Sequence, residues 1–592
     1  MLKKKVDNKK AKEKKYIIQD TENVVNLKFA ILAIVVIVLF SASLCPVTLQ
    51  NDTYYTIKIG EHIVETKTID MQDVFTWHDN LPYFYPHWLY DLITFLIYSI
   101  LGFKGIFIST VILSCILGVT IYYTNVYISK NRLVSFWITL GSMYMLRDFI
   151  AARAQLVTFI LFELEILFIE RFLKTKNKKY GFGLFAIALL VANIHSAVWP
   201  FFFVLTLPYI AEYICNLNYI KLVSKIKNRF YEIRLKRLEK AIKSNKSKKK
   251  DSIIEKRENL NKKQKEFIEK EEKIKKTQIK RRKSPYKIKM IREDACKILI
   301  LIVLICIVSG FLTPIKDMPF SYTVRIMQGN TTKSINEHLP LTLINDKVLL
   351  FVLAGFMAIL IFTDVKIRLK DLFMFAGLAL LMFMTRRQES MFVIFCGGVL
   401  STLVSDLFAK YDKDGTIELE RVMTSILGLC GTMVVVAFVL YVQIKGKVDD
   451  KFVNEATYPV SASKFIKDNY DLSEIKLYNE YNYGSYLLYE DIPVFIDSRC
   501  DLYTPQFNKT ENYPEGRDIF SDYIKTSSLS KDFDTTFSDY DITHIILYKN
   551  SKMNMILSKM PEKYREIYTD SNFIIFEIVN NNSLEYSQDL WD

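Results

Sequence analysis

Between Asn51 and Ile93 the sequence NDTYYTIKIGEHIVETKTIDMQDVFTWHDNLPYFYPHWLYDLI interleaves acids, histidines and aromatics: Asp52, Glu61, His62, Asp70, Asp73, His78, Asp79, His87 and Asp91. The stretch directly follows an apolar run and is too polar to lie in lipid. An acid a few residues beyond a membrane exit sits at the depth where a lipid headgroup presents a phosphate. There a carboxylate can take a proton from an acceptor hydroxyl or hold a divalent cation against a diphosphate. It can also serve only as an interfacial residue paired with a cation such as Lys58, in a solvated loop anchored by its aromatics.

The elements that must position such residues follow from composition. The chain has 592 residues, half of them hydrophobic, 14% aromatic and 24% charged, so charge is segregated from the apolar runs. Its formal net charge of +15 is local. From Lys221 to Arg292 there are 29 Lys/Arg against 9 Asp/Glu, whereas from Tyr441 to Asp592 there are 16 against 26. A general nucleic-acid-binding surface is not expected from a basic balance confined to one segment. Of eight cysteines, seven lie in or beside apolar runs and Cys500 stands alone, so no disulfide framework is implied.

Residues 27–47 are long enough to cross roughly 30 Å of hydrocarbon, and the lysines before them predict an uncleaved first span with its N-terminus inside. Further spans are predicted at 104–128, 133–150, 156–173, 180–194, 197–216, 296–313, 347–363, 370–385, 390–408 and 422–443. The lysine- or arginine-bearing linkers 130–132, 174–179, 366–370 and 410–421 then all fall inside. For the same reason 88–102 is predicted as a juxtamembrane helix at the outer surface. The fold class is a polytopic α-helical membrane protein of about eleven spans with a small C-terminal extracytoplasmic α/β domain. Five regions are expected: a basic cytoplasmic N-terminus (1–26), a transmembrane module (27–216) with outer loop 48–103, a lysine-rich helical cytoplasmic insertion (217–295), a second transmembrane module (296–443) and the outer domain (444–592). The insertion predicts a solvated helical hairpin or disorder, with anionic inner-leaflet lipid as its partner. In the outer domain, KLYNEY, PVFIDS, THIILY and NFIIFEI read as strands of a largely parallel sheet.

In this topology all six histidines lie at or beyond the outer surface: His62, His78, His87, His195, His338 and His544. Arg153, Gln155, Asn193, Arg386 and Arg387 lie on the same side. Each alone reads as a satisfied interfacial residue; gathered on one side they point to a site there. No glycine-rich nucleotide loop, GxSxG, HExxH or paired CxxC occurs, which argues against an ATP-driven pump and the common hydrolase designs.

The arrangement resembles the GT-C glycosyltransferases, which use polyprenyl-phosphate-linked sugars, and most of all the bacterial protein-mannosyltransferase and lipid-A-sugar-transferase type. Their first-loop pattern D-T-x-W-H-I-x-x-G-x-x-I is similar to the run from Asp52 to Ile63, and their D-x-F-S with a tryptophan block to Asp73-Val74-Phe75-Thr76 and His87-Trp88-Leu89. Ala152-Arg153-Ala154-Gln155 is similar to A-R-P-Q, Asn193-Ile194-His195 to N-x-H, and Ile335 to Pro340 to I-x-E-W-x-P. Thr56 stands where the family has histidine, Ala154 where it has proline, and no acidic pair opens the loop.

The resemblance implies Asp52 as catalytic base, direct inverting displacement at the anomeric carbon, and a leaving phosphate held by Arg153 and Arg386. It implies substrate contacts from Tyr55, His87, Trp88, Gln155, His195 and Glu337. It also implies a bacterial cytoplasmic membrane setting, membrane lipids as surroundings, and a glycan, lipid or protein acceptor. No cofactor is certain, and Mg²⁺ or Mn²⁺ stays open. Tyr481 to Tyr486 is similar to the W-W-D-Y-G block of oligosaccharyltransferases, which adds Tyr483 and Gly484 as substrate-binding candidates and makes peptide glycosylation the second enzyme reading. A non-enzymatic assembly scaffold or lipid-linked-sugar transporter is the remaining alternative. A transporter calls for charge at mid-span depth, and in sequence the charges lie mostly at span ends.

Overall fold

The computed structural model describes residues 27–216, 219–244, 250–282, 287–291, 293–329, 335–344 and 346–579. The basic N-terminus predicted for 1–26 lies outside the described residues. The protein is mostly helical. Among the described residues, five helices are long and apolar enough to cross a membrane: Leu27–Leu44, Trp88–Ser129, Ser196–Asn216, Arg386–Tyr411 and Ile426–Lys445. The other predicted spans are helical too, but they miss that standard for two physical reasons. Arg132–Met145, Lys178–Ile194, Cys296–Cys306, Lys347–Phe362 and Leu369–Met384 are short, and Ala154–Thr175 carries acids in its interior.

We number the helices used below in chain order: α1 (Leu27–Leu44), α2 (Asn51–Thr66), α3 (Trp88–Ser129), α4 (Arg132–Met145), α5 (Ala154–Thr175) and α6 (Lys178–Ile194). The predicted division of 88–102 from the following span is present as a break inside α3, where Gly102 leaves helical geometry at φ 59°. α2 crosses α3 closely. A side chain at Gly60 would press into the backbone carbonyl of Asp91, so only glycine lets the two helices meet there. Of the two states expected for the insertion, a helical hairpin or disorder, its described residues take the hairpin, Tyr219–Ser244 against Lys250–Arg282.

The apolar helices enclose one core centred on α5, whose Phe159, Phe162, Ile169 and Phe172 are buried. A second core joins Tyr54, Ile57 and Ile59 of α2, Leu81 to Tyr85 and the C-terminal part. The outer loop thus shares a core with residues beyond 444 while also touching the helical module.

The C-terminal sheet is a correction in kind. Four strands, β1 (Leu477–Tyr478), β2 (His544–Tyr548), β3 (Tyr564–Thr569) and β4 (Phe573–Ile578), run in the order β1-β2-β4-β3. Only β1 and β2 are parallel; the other two pairings are antiparallel. The chain between β3 and β4 is too short for the crossover that parallel strands need, so they close as a hairpin. PVFIDS is not a strand. It makes a single bridge, Val494 to Thr76, and otherwise lends its backbone to side chains.

Candidate functional site

The first turn of α2 carries Asp52 and Tyr55 three residues apart, hence on one face. The start of the helix is tied across the molecule by the Asn51 side chain, which donates to the Tyr481 carbonyl at 2.9 Å. Arg153 caps α5 in an extended conformation, and Thr53 donates to the neighbouring Ala152 carbonyl at 3.3 Å. This brings the Arg153 guanidinium onto Asp52, while its other nitrogen lies 3.5 Å from Glu337. Asp52 is therefore paired, but not with Lys58, whose ammonium lies 2.6 Å from both Glu61 and Asp491.

These residues wall a cavity of about 580 Å³, inside the size range of small-molecule sites. Tyr55, His87, Gln155, His195 and Glu337 line it with Asp52 and Arg153, so seven of the residues singled out in the sequence converge. Four do not line it. Trp88 turns away and donates from its indole nitrogen to Asn193 at 3.2 Å, bracing α3 against the end of α6. Tyr483 is fully buried and donates to the Ile546 carbonyl at 2.7 Å, inside the second core. Gly484 faces the Ile496 carbonyl so closely that a Cβ would collide with it, which explains the glycine without a substrate. Arg386 spends its backbone N–H on Leu339, and its neighbour Arg387 enters the cavity instead.

His338, one of the histidines gathered on that side, lines the cavity too, and sequence reasoning missed Tyr322, Tyr481, Asn482, Cys500 and Asp501. The Tyr322 hydroxyl donates to Asp501 at 2.7 Å, and burial pushes this carboxyl above its usual range. The aromatic and amide types at 481–482 sit inside the block similar to that of oligosaccharyltransferases, immediately before the pair Tyr483-Gly484. Nothing in the local pattern around 500 marked Asp501.

Imidazoles surround Arg387. His195 meets the Thr158 hydroxyl through Nδ1 at 3.1 Å, and the His87 ring stands edge-on to it at 4.9 Å. Burial pushes His87 and His338 down to about 4 and His195 well below its ordinary value, with the charge of Arg387 adding to each. At neutral pH all three are uncharged donors or acceptors. Arg153 spends its charge on two carboxylates, whereas Arg387 makes no ion pair among the described residues.

Asp73 has a different task. It meets Arg499 at 2.6 Å, and Arg499 meets Asp497 at 2.7 Å, with all three side chains out of solvent. Tyr503 donates to Asp497 at 2.6 Å. The cluster fastens the loop to the C-terminal part behind the cavity wall. His78 helps by hydrogen-bonding the Phe495 carbonyl at 2.8 Å, and burial pushes it down to about 4.

Among the described residues no three His, Cys, Asp or Glu side chains come together in a way that could hold a metal ion. Of the carboxylates on the cavity wall, Asp52 and Glu337 both face Arg153, and Asp501 accepts from Tyr322. That donor set does not fit Mg²⁺ or Mn²⁺ as it stands, and no step below runs through one.

The chain matches no protein family and no curated protein.

Proposed function

We propose that the protein is a membrane glycosyltransferase of the GT-C type, with the eleven spans read from the sequence and its cavity at the outer face. A polyprenyl-phosphate sugar enters between the helices with its phosphate on Arg387. Arg153 then exchanges Asp52 for a phosphate oxygen, because both are anions of similar geometry and the guanidinium can serve either. Asp52, relieved of its partner, takes the proton of the acceptor hydroxyl. The hydroxyl oxygen attacks the anomeric carbon from the far side, the bond from that carbon to the phosphate oxygen breaks, and polyprenyl phosphate leaves with inversion. Placing donor and acceptor in one enclosed volume supplies the proximity term.

The observation that carries this reading is the exchangeable Asp52–Arg153–Glu337 set beside an uncommitted Arg387 on the wall of one cavity. Of the block behind the oligosaccharyltransferase alternative, Tyr481 and Asn482 line that cavity, whereas Tyr483 and Gly484 are packed away from it. Mass spectrometry of lipid carried through purification tests the donor class. An isoprenoid phosphate should accompany the wild-type protein and be depleted at least tenfold in Arg387→Ala. Ordinary phospholipid alone, in equal amount from both proteins, would sink the proposal.

A further inference from the structure

Helix α5 holds two acids where a membrane-crossing helix has its middle. Its 22 residues span about 33 Å, and Glu163 and Glu165 sit near the centre, 2% and 0% exposed. The sequence placed charge mainly at span ends, and this pair corrects that. Neither takes part in the chemistry proposed above. Both oxygens of Glu165 are buried without a hydrogen-bond partner among the described residues, and so is the side-chain carbonyl of Asn125 on α3. Such atoms are costly to bury unless they serve something, and carboxyls inside a bundle mark ion or proton routes.

Their placement along the helix is ordered. At 3.6 residues per turn, Gln155, Glu163, Ile166 and Glu170 fall within an arc of about 80°, forming one stripe down α5. At the cavity end Gln155 faces the large cavity, and Thr158, one turn on, bonds His195. At mid-depth Glu163 lies beside Thr124 of α3, next to Asn125, whose amide donates to Thr139 of α4 at 3.3 Å. At the far end Glu170 meets Lys370 at 2.8 Å and accepts from Tyr209 at 3.0 Å, and Lys370 meets Asp371 at 2.6 Å.

Two small cavities lie toward the two ends of the stripe. One of about 20 Å³ touches Gln155, Thr158, His195 and Arg387. The other, also about 20 Å³, touches Ile166, Lys370, Asp371 and Gly398, on the side of the Lys370–Asp371 cluster. Each has room for about one water, for which roughly 10–15 Å³ suffices, and each offers polar partners.

We infer that this stripe is a proton path through the helical bundle, with Glu163 as the carrier at mid-depth, running between the Glu170–Lys370–Asp371 cluster and the large cavity. The carboxyl accepts a proton on one oxygen from a water on one side and releases a proton from the other oxygen to a water on the opposite side. No group is consumed. The inference stands apart from the transfer reaction and does not need it.

The test uses the full chain in sealed vesicles with a trapped pH-sensitive dye, a potassium gradient and valinomycin to drive proton entry. Wild-type protein should acidify the lumen faster than protein-free vesicles. Glu163→Gln should lower that rate at least tenfold, while Glu163→Asp keeps a measurable part of it. Dicyclohexylcarbodiimide, which modifies protonated carboxyls in apolar surroundings, provides a readout on unmutated protein. It should stop the flux and leave an adduct that peptide mass mapping places on Glu163. A wild-type rate equal to that of empty vesicles, an unchanged rate in Glu163→Gln, or no adduct on Glu163 would overturn the inference.

Discussion

Asp52 separates chemistry from architecture more cleanly than any other residue of the cavity. Its pair with Arg153 is partly open to solvent, 20% and 28% exposed, and pairs of that kind contribute about 0–1 kcal/mol. Asp52→Asn keeps shape and an accepting oxygen toward Arg153 but removes nearly all basicity. Transfer, assayed with the donor that co-purifies, should fall by about 10²–10⁴-fold, the usual range for loss of a general base, while the melting temperature barely moves. Full activity in the variant would take Asp52 out of the mechanism. At this scale the sequence was informative where a short motif carried the residue, as for Asp52, Arg153, Gln155, His195 and Glu337. It erred by one position at Arg386-Arg387, which lie on a 3₁₀ turn. Neighbours on such a turn point about 120° apart, so a motif cannot tell which of two arginines faces inward. Asp501 was illegible because it reaches the cavity only through the fold of residues beyond 444.

Among the elements, the segment between α2 and α3 is held from outside itself. Its backbone pairs with itself through Gln72 and Pro82, but its fixed points are contacts with residues some 400 positions later, such as the Trp77 indole donating to Leu477 at 3.1 Å. Arg499 is the strongest of these fastenings, because it neutralises Asp73 and Asp497 where no water reaches. Arg499→Ala would leave two buried carboxylates facing each other without a cation, a change that typically costs about 3–5 kcal/mol. The melting temperature should drop clearly, and limited proteolysis should open the chain within 68–86 before it cuts elsewhere. A variant as stable and as resistant as the parent would show that the cluster adds nothing. Helices were legible from apolar runs and the break at Gly102 from the charge balance, because both depend on local composition. Strand direction in the C-terminal sheet was not, since alternating helix and strand segments also fit a mixed sheet when the last two strands form a hairpin.

At the scale of the whole molecule, the cavity exists only where distant parts of the chain meet: the opening of α2, the segment around His87, the cavity-facing ends of α5 and α6, Tyr322 with Glu337 and His338, Arg387, and the C-terminal residues around Tyr481 and Asp501. The reading of function therefore depends on which side of a membrane that junction occupies. From the positive charge of the linkers we propose that it lies outside and the lysine-rich hairpin inside, since positive charge is retained on the cytoplasmic side. Cys500 is a poor reporter, since it lines the cavity and burial pushes its thiol well above its ordinary value, leaving little thiolate to react. Exposed serines serve better: Ser528 in the C-terminal part and Ser252 on the hairpin. In intact cells a membrane-impermeant maleimide should label Ser528→Cys well above the parent protein and leave Ser252→Cys at the parent's level. After the membrane is permeabilised both should label alike, which shows that position 252 is reactive once reached. Labelling of Ser252→Cys from outside, with Ser528→Cys protected, would invert the topology. It would also put the Asp52 cavity on the cytoplasmic side, where the outer-face transfer proposed here could not take place.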